Sequence, residues 1–277
     1  CGSSMTYWKT TLAQQANYGQ NQMVTNDATG WKVGDTLTVG PSVSTSTVYE
    51  SEITAISGTT ITLEDNFAVN RATGSEVANL SRNCVITSTG TGNSYIQNLT
   101  TTEANFNMEW VEASYLGLES SGKYGITFDG SGTRGKINYS TMHNGCYGIM
   151  LNSSSNNTLT NNTCYLNSWA GISSVSGSNN TLTNNSCYSN TNHGIYLNST
   201  SDNSITNNNC YANFTYRGIY VYQRSNNTLT DNNCYSNGDH GIMLNSTSNN
   251  TLEDNNCYLN PTYGIYLYSN SNNNTLN

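Results

Sequence analysis

Charged residues, prolines and long apolar runs are scarce in this sequence. Charged side chains make up 9% of its 277 residues and proline occurs twice. With a formal net charge of −8, the chain lacks the clusters of Lys and Arg that bind phosphate, which argues against a nucleic-acid partner. No apolar run approaches the ~20 residues of a membrane helix, so we expect no membrane-spanning segment.

Asn, Ser and Thr take the place of charged residues. Together with 24 glycines and frequent Tyr, Ile and Val, they favour β structure over helix. A weakly charged chain rich in Asn-x-Ser/Thr sequons suits the outside of a cell, so we predict an extracellular or cell-surface location. The candidate N-glycosylation sites are Asn98, Asn152, Asn198, Asn213 and Asn245.

The strongest signal is an internal repeat, nearly perfect from residue 156 onward. The pattern Asn-x-Leu/Ile-x-Asn/Asp-Asn-x-Cys-Tyr begins at Asn157, Asn180, Asn203, Asn227 and Asn250, at spacings of 23, 23, 24 and 23 residues. A sixth copy begins near the C-terminus and breaks off at the last residue. We therefore expect an incomplete last coil, which either continues in a longer natural chain or pairs with another copy.

One repeat is too short and too polar to form a core alone, so the copies must stack in register. The sequence predicts an all-β fold, a right-handed parallel β-helix with coils of about 23 residues. Each coil holds three strands, around Leu182, around Cys187 and from Ile195 to Leu197. We place the β-helix at residues 84–277 and a β-rich N-terminal segment at residues 1–83, with a hairpin turn at Ser57-Gly58.

Stacked copies align the same residue type in columns. The predicted inward columns are Leu159, Leu182, Ile205, Leu229, Leu252 and Leu276; Ile126, Ile149, Ile172, Ile195, Ile219, Ile242 and Ile265; and Cys164, Cys187, Cys210, Cys234 and Cys257. Two Asn columns, which include Asn162 and Asn167, mark corners where side-chain amides hydrogen-bond along the stack. A Gly column precedes the Ile column, where a side chain would clash or φ must be positive.

The pattern Asn-x-Leu-x-x-Asn-x-Cys-x-x-Asn followed by Gly-Ile-x-Leu, over about residues 120–277, resembles the repeats of the NosD family and related CASH domains. This resemblance implies the β-helix fold, while a periplasmic copper-binding role is one of several functions that it allows.

Residues 31–86 resemble the leading segment of eight-glycine-domain extracellular proteins, some of which depolymerise hyaluronan. The resemblance rests on three segments: Trp31-x-Val-Gly-Asp, the hairpin that ends at Phe67, and residues 76–86. A Tyr-Pro-Ile-His-Phe-His type motif of those relatives corresponds here to residues 123–128, which contain neither histidine. The resemblance therefore implies the fold without the shared catalytic residues.

The cysteine column allows two interpretations. Five thiols in a line offer soft ligands to Cu(I) or Zn. Parallel side chains on neighbouring strands suit a disulfide badly, and Cys is also a small apolar residue that fits a narrow interior. We predict free, buried, structural thiols and no cofactor, with Cys84 and Cys146 buried as well.

Two tyrosine columns are the candidate contact surface. The first follows the cysteines and is predicted to face outward, and the second lies on the strand after the Gly column. The candidate residues are Tyr165, Tyr188, Tyr211, Tyr235 and Tyr258 in the first column, and Tyr196, Tyr220 and Tyr266 in the second. Three roles stay open: a self-stacking ladder, a platform for sugars, and a lateral packing surface.

The remaining polar groups do not form a recognisable catalytic set. His193, Arg217 and His240 share one column beside Asp239, and we expect a solvated edge there. Glycan-cleaving enzymes need grouped carboxylates, and here Asp231 and Asp254 alone share a column. We assign no catalytic, cofactor-binding or metal-binding residue.

Three functional hypotheses follow. The first is a non-catalytic structural or adhesive protein that associates with itself, with other surface proteins or with carbohydrate, in a filament, sheath or surface layer. The second is a polysaccharide lyase or hydrolase on the same scaffold, and the third is a copper-binding NosD-like protein. Cys1 leaves two alternatives open, a lipid-anchored mature N-terminus or a cloning remnant ahead of Met5.

Overall fold

A computed structural model describes residues 9–41, 48–81, 84–89 and 94–277 of the chain. Cys1 lies outside these residues. The chain divides into two units, residues 2–84 and Val85–Asn277. Among the described residues, no helix is long and apolar enough to cross a bilayer.

The N-terminal unit is an antiparallel sheet of six strands. They are β1 (Lys9–Thr11), β2 (Gln22–Val24), β3 (Thr36–Val39), β4 (Tyr49–Ser57), β5 (Thr60–Leu63) and β6 (Glu76–Asn79). Their order in the sheet is β1-β6-β3-β4-β5-β2, and a bridge from Leu12 to Thr25 links the two ends of this order. The predicted hairpin is confirmed, because β4 pairs with β5 across a turn in which Gly58 has a φ of +61°.

Alternation along these strands places an apolar core on one side of the sheet. In β5 the side chains of Ile61 and Leu63 are buried, whereas those of Thr60 and Thr62 are half-buried. They pack with Trp31, Leu37 and Phe67 in one cluster, which gives this unit a core of its own.

The second unit consists of short strands that recur every coil, with one 3-10 turn at Glu103–Asn105. The strands are β7 (Cys84–Thr87), β8 (Ile96–Asn98), β9 (Asn107–Glu109), β10 (Val111–Ser114), β11 (Ile126–Asp129), β12 (Lys136–Asn138), β13 (Thr141–His143), β14 (Ile149–Asn152), β15 (Thr158–Thr160), β16 (Thr163–Tyr165), β17 (Ala170–Val175), β18 (Thr181–Thr183), β19 (Ser186–Tyr188), β20 (His193–Asn198), β21 (Ser204–Thr206), β22 (Asn209–Tyr211), β23 (Ile219–Tyr222), β24 (Thr228–Thr230), β25 (Asn233–Tyr235), β26 (Ile242–Asn245), β27 (Thr251–Glu253), β28 (Asn256–Tyr258), β29 (Ile265–Tyr268) and β30 (Thr275–Leu276).

Every third strand belongs to the same parallel sheet, so the unit has three faces of eight strands each. Face 1 contains β7, β10 and every third strand to β28; face 2 runs likewise from β8 to β29, and face 3 from β9 to β30. This confirms the parallel β-helix and the three strands per coil. Its right-handed sense stays a prediction, which agrees with the usual hand of parallel crossovers.

Register and burial confirm the predicted inward columns except towards the C-terminus, where Cys257 and Ile265 are half-buried and Leu276 is 48% exposed. Leu159 pairs with Leu182, Cys164 with Cys187 and Ile172 with Ile195, each one coil apart. These side chains have no exposed surface. A single coil contributes only a few apolar side chains, so the core exists because the coils stack.

Three asparagine ladders satisfy the polar backbone at the corners. Asn185 shows the pattern: its N–H and its Nδ2 both donate to Oδ1 of Asn208, at 3.0 Å, and its Nδ2 also donates to the Leu159 carbonyl at 2.9 Å. Asn162 donates to Asn185 in the same way. Because these amides are fully buried, each unmade bond would cost about 1–3 kcal/mol.

The sequence indicated two of these ladders. They contain Asn162, Asn185, Asn208, Asn232 and Asn255, and Asn167, Asn190, Asn213, Asn237 and Asn260. The third ladder, at the first position of each repeat, was not recognised as one. It contains Asn157, Asn180, Asn203, Asn227, Asn250 and Asn274.

The glycine column is required by close approach between coils. A Cβ added at Gly194 would lie 2.6 Å from the Gly218 carbonyl and 3.0 Å from Cβ of Cys210. Small residues therefore face each other at this corner, Gly on one strand and Cys on the other.

Candidate functional site

The tyrosines that follow the cysteines form a buried ladder. Their rings stack from Tyr165 to Tyr258 with centroids 4.9–5.2 Å apart. Tyr165, Tyr188 and Tyr211 are 0–2% exposed, so the expected contact role is wrong for these three residues, and they form the self-stacking ladder that was the alternative. Ring faces that cover one another cannot contact a partner. In this column Tyr235 is half-buried and Tyr258 is 40% exposed.

The second tyrosine column lies in a larger cluster, which we call the aromatic face. It occupies the outer side of face 2 and the turns that lead into it. Its rings are Trp169, Tyr196, Tyr216, Tyr220, Tyr222, Tyr263, Tyr266 and Tyr268. All of them are half-buried or exposed, which leaves part of each ring open to a ligand.

Strand alternation explains why these rings share one side. In β23 the side chains of Ile219 and Val221 are buried in the core, so Tyr220 and Tyr222 point outward. In-register pairing then sets Tyr220 beside Tyr196, with ring centroids 5.4 Å apart. The same register places Tyr266 two coils beyond Tyr220, with Met243 between them.

His193 lies at the centre of one half of the aromatic face. Its ring centroid is 5.3 Å from those of Tyr196, Tyr216 and Tyr220, and 5.6 Å from that of Trp169. The side chain is 4% exposed, so the expected solvated edge is wrong here. Burial, with the positive charge of Arg217 second, lowers the pKa of His193 to about 3, and the imidazole is neutral at physiological pH.

Arg217 is held by two rings and one carboxylate. Its guanidinium lies 5.0 Å from the Tyr216 centroid and 4.8 Å from that of Tyr220, and its Nη2 is 3.3 Å from Oδ2 of Asp239. Cation–π contact and the ion pair together fix the guanidinium plane at the surface.

His240 repeats the environment of His193 two coils on. It is 5% exposed, and its ring centroid lies 5.4 Å from Tyr263 and 4.8 Å from Tyr266. Its Nδ1 is 3.4 Å from Oδ1 of Asp239. Burial lowers the pKa of His240 although Asp239 opposes the shift, and the solvated edge expected for this histidine is also wrong.

Polar groups along the aromatic face orient the tyrosine hydroxyls. Nδ2 of Asn245 donates to the Tyr220 hydroxyl at 2.9 Å. Burial also raises the pKa of Tyr196 to about 12, so its hydroxyl stays protonated and able to donate. Rings with oriented hydroxyls offer both apolar area and hydrogen bonds.

The stacked acids of the sequence are turn residues. Asp231 and Asp254 occupy the left-handed corner between face 3 and face 1, in the same column as Asn184 and Asn207, with φ between +51° and +57°. Asn and Asp tolerate this conformation better than other non-glycine residues. Their recurrence in this column reflects the corner and gives no sign of acid–base chemistry.

The cysteine column consists of free thiols, as predicted. Those from Cys164 to Cys234 have no exposed surface, whereas Cys257 is half-buried. Burial raises the pKa of Cys164 and of Cys210, which keeps these thiols protonated. Outside the column Cys146 is buried as expected, and Cys84 is only half-buried.

Two of the candidate glycosylation sites are inaccessible. Asn98 donates its Nδ2 to the Arg134 carbonyl, and Asn213 lies in a buried ladder where its Nδ2 donates to Asn237 and Cys187. Asn98 is 2% exposed and Asn213 has no exposed surface, so the folded chain leaves no room for a glycan on either nitrogen. Asn152, Asn198 and Asn245 lie half-buried at the ends of face 2 strands and stay predictions.

Sequence reasoning missed Trp169, Tyr216 and Tyr263. They lie in the turns before face 2, and the extra residue of the coil from Asn203 to Asn227 disturbs the alignment at Tyr216. A signal was present for Tyr263, since the residues just before the column glycines are mostly planar or cationic, whereas Trp169 and Tyr216 lie one position earlier. The residues just before the glycines are Tyr124, Tyr147, Ala170, His193, Arg217, His240 and Tyr263.

Comparison with known proteins agrees first on the class, a parallel β-helix. The chain is similar to a variant of the periplasmic alginate epimerase AlgG, with 21% identity, a TM-score of 0.50 and coverage of 59% of this chain and 48% of that one. It is also similar to a variant of the catalytic domain of GH87 alpha-1,3-glucanase in complex with nigerose, with 14% identity, a TM-score of 0.54 and coverage of 88% and 66%. The chain thus spans about half the length of the epimerase, and at these identities the likeness shows the fold alone.

A family model described as periplasmic copper-binding protein (NosD) matches residues 20–250 and 215–277. The chain therefore belongs to the NosD family. No curated protein matches the chain.

The described residues do not form a site of three or more ligands for a copper ion. Among residues 9–41, 48–81, 84–89 and 94–277 there is no group of three or more His, Cys, Asp or Glu side chains that could hold a metal. The column thiols project in parallel, one per coil, and do not converge on a point.

Proposed function

We propose that this protein is a non-catalytic, adhesive β-helix of the cell envelope or the extracellular space that binds polysaccharide along its aromatic face. The observation that carries this proposal is the row of partly open rings, aligned across the coils from Trp169 to Tyr268. A polysaccharide is itself a repeating rod, so a repeating protein surface can contact successive sugars in the same way.

The chemistry of the rings suits sugars. Each half-open ring offers an apolar face to the C–H side of a pyranose, while the hydroxyls and Asn245 offer hydrogen bonds to its edge. Their packing against His193, His240 and Arg217 fixes the rings before a ligand arrives. Rings that are already fixed lose little entropy on binding.

A binding role without turnover is supported by the placement of the acids. Glycoside hydrolysis uses two carboxylates that flank the scissile bond. Asp239 lies on the aromatic face, but it is paired with Arg217. Asp231 and Asp254 lie at a left-handed corner of the coil.

The proposal is tested by titrating the purified protein with soluble neutral and acidic polysaccharides in a calorimeter. We expect binding that falls about ten- to a hundredfold in the double variant Tyr220→Ala/Tyr266→Ala, since each lost aromatic contact costs about 0.5–1.5 kcal/mol. Tyr258→Ala is the matched control, because Tyr258 is an exposed tyrosine of the other column. Equal loss in the control and in the double variant would contradict the proposal.

A second candidate function is turnover of a polysaccharide, favoured by one observation. Arg217, Asp239 and His240 form a contiguous polar group on the aromatic face, with the contacts of 3.3 and 3.4 Å described above. Such a group can neutralise an acidic sugar and move a proton. If new reducing ends or unsaturated sugars accumulate and Asp239→Asn abolishes them, this candidate replaces a purely adhesive role.

Self-association through the same rings is a further proposal about partners. Exposed aromatic rings also serve lateral contacts between copies of a chain. Light scattering across a concentration series separates the two roles: assembly that disappears in Tyr220→Ala/Tyr266→Ala, without any polysaccharide binding in the parent protein, would favour self-association.

A further inference from the structure

A cavity of about 480 Å³ lies at one end of the aromatic face. It is bounded by the connection from β10 to β11 on one side and by Trp169 on the other. Cavities of this size hold small ligands. Trp169 links the cavity to the aromatic face, because its ring contacts both Tyr147 and Tyr196 with centroids 5.2 Å away.

The wall of the cavity is an enlarged turn. Residues 115–125 connect β10 to β11, which is 11 residues, whereas the next two connections from face 1 to face 2 have five (144–148) and four (166–169). The longer connection packs against the next one, because the Leu116 carbonyl accepts from the N–H of Cys146. It also contributes Tyr115 and Glu119 to the lining of the cavity.

The wall is built in place by backbone contacts. The N–H of Gly117 donates to the Ser94 carbonyl at 2.8 Å, and the N–H of Cys146 donates to the Leu116 carbonyl at 2.9 Å. Gly117 has a φ of +91°, and a Cβ there would lie 2.3 Å from the nitrogen of Gly125. The turn therefore needs this glycine, and the cavity exists before any ligand binds.

The cavity offers the groups that a sugar needs. Trp169 supplies a ring face, and the Glu119 carboxylate supplies a charged acceptor for hydroxyls. Asn144 and Tyr115 both line the cavity, and Nδ2 of Asn144 donates to the Tyr115 hydroxyl at 2.9 Å, which holds that hydroxyl in place.

We propose that this enlarged turn stops a chain bound along the aromatic face, and that the cavity binds the terminal sugar of a neutral or amino-sugar polysaccharide, with Trp169 as the platform and Glu119 as the acceptor of its hydroxyls. This inference rests on the proposed polysaccharide-binding function and adds two features to it, recognition of a chain end and exclusion of acidic ends. The Glu119 carboxylate repels a uronic acid, and the described residues that line the cavity include no Lys, Arg or His to balance it.

The test uses short chains, which are rich in ends. Cellotriose, maltotriose and mannotriose are the neutral probes, and trigalacturonic acid is the acidic probe, each titrated against the full chain. We expect at least one neutral trisaccharide to bind, and Glu119→Gln to weaken it about tenfold, the loss expected for one hydrogen bond to a charged acceptor. Trigalacturonic acid should bind Glu119→Gln better than the parent protein.

Glu253→Gln is the matched control, because Glu253 is an exposed glutamate on face 3. Equal binding of every probe by Glu119→Gln and the parent protein would overturn the inference, as would a preference of the parent protein for trigalacturonic acid.

The two proposals fail in different ways. If long polysaccharide binding is lost in Tyr220→Ala/Tyr266→Ala while Glu119→Gln changes nothing, the end site is wrong and the aromatic face stands. If trisaccharide binding depends on Glu119 while Tyr220→Ala/Tyr266→Ala binds long chains like the parent protein, the end site stands and the extended face is wrong.

Discussion

Two tyrosine columns run along the same β-helix, and they differ in what surrounds them. In the first, Tyr165 to Tyr258 stack on one another at about 5 Å, and the three N-terminal members are buried. In the second, Tyr196, Tyr220 and Tyr266 surround buried His193 and His240 and remain partly open.

The difference shows that a regular column of tyrosines stacks on itself, whereas an interrupted column leaves side chains exposed. The first column is uniform, so every ring finds its partner in the next coil and contact with other molecules is excluded where it is buried. The second column is interrupted by Met243 and lies beside Trp169, Arg217 and the histidines. With these irregular neighbours the tyrosines of the second column keep some exposed surface, and exposed aromatic side chains can bind a ligand.

The largest expected effect separates the two columns by stability. Tyr188→Ala removes a buried, doubly stacked ring and should lower the free energy of unfolding by about 3–5 kcal/mol. Tyr220→Ala removes a half-open ring and should cost about 1–2 kcal/mol. Denaturant unfolding followed by intrinsic fluorescence measures both, and equal losses would mean that the columns do not differ in structural role.

The second prediction concerns how the free energy of unfolding changes at acid pH because of His193, which lies in the aromatic face. The pKa of His193 in the folded protein is about 3, against 6.5 for the free side chain. Below pH 6.5 the unfolded chain takes up a proton that the folded chain refuses, so this histidine makes unfolding more favourable as the pH falls. The cost is about 1.4 kcal/mol for each pH unit between about 6.5 and 3, and none above that window.

His193→Phe keeps a ring in place and removes the titration. Its stability should therefore fall less than that of the parent protein between pH 6.5 and 4, when both are measured by urea unfolding at each pH. Parallel pH profiles of the two proteins would contradict the assignment of a buried neutral histidine.

The smallest effect is expected at the edge of the aromatic face. Asp239→Asn removes the ion pair with Arg217, and retains an acceptor for the Thr262 hydroxyl, which lies 2.9 Å from Oδ1. Because both charged side chains are partly exposed, the loss should be about 0.5–1 kcal/mol at low salt and smaller at high salt. A loss that does not depend on salt would show that the carboxylate acts through packing and not through charge.

Much of the fold was predictable because the spacing of the repeat determines which residues pair between neighbouring coils. A spacing of 23 residues fixes which side chains stack, and the predicted Leu, Ile and Cys columns are buried except towards the C-terminus, at Cys257, Ile265 and Leu276. The third asparagine ladder was missed, although Asn157 and its counterparts are the first residues of the repeats. Sequence periodicity shows that a residue recurs, but it does not show which corner of the coil holds it.

The candidate site was less predictable, for a different reason. The sequence predicts a solvated edge for His193 and His240 because polar residues are usually exposed, whereas the rings of Tyr216, Tyr220 and Tyr266 cover them. Those rings come from neighbouring coils and from a turn of variable length. Contacts between side chains of different columns depend on turn geometry, which a column alignment does not contain.

The sequence by itself determined the period, the parallel stacking and the inward columns, since in-register strands must bury the residues that repeat with the coil. Only the tertiary structure decided which tyrosines are buried and which remain open. A side chain on the outer side of a strand is buried or exposed according to which side chains pack beside it. The spacing of the repeat does not determine that packing.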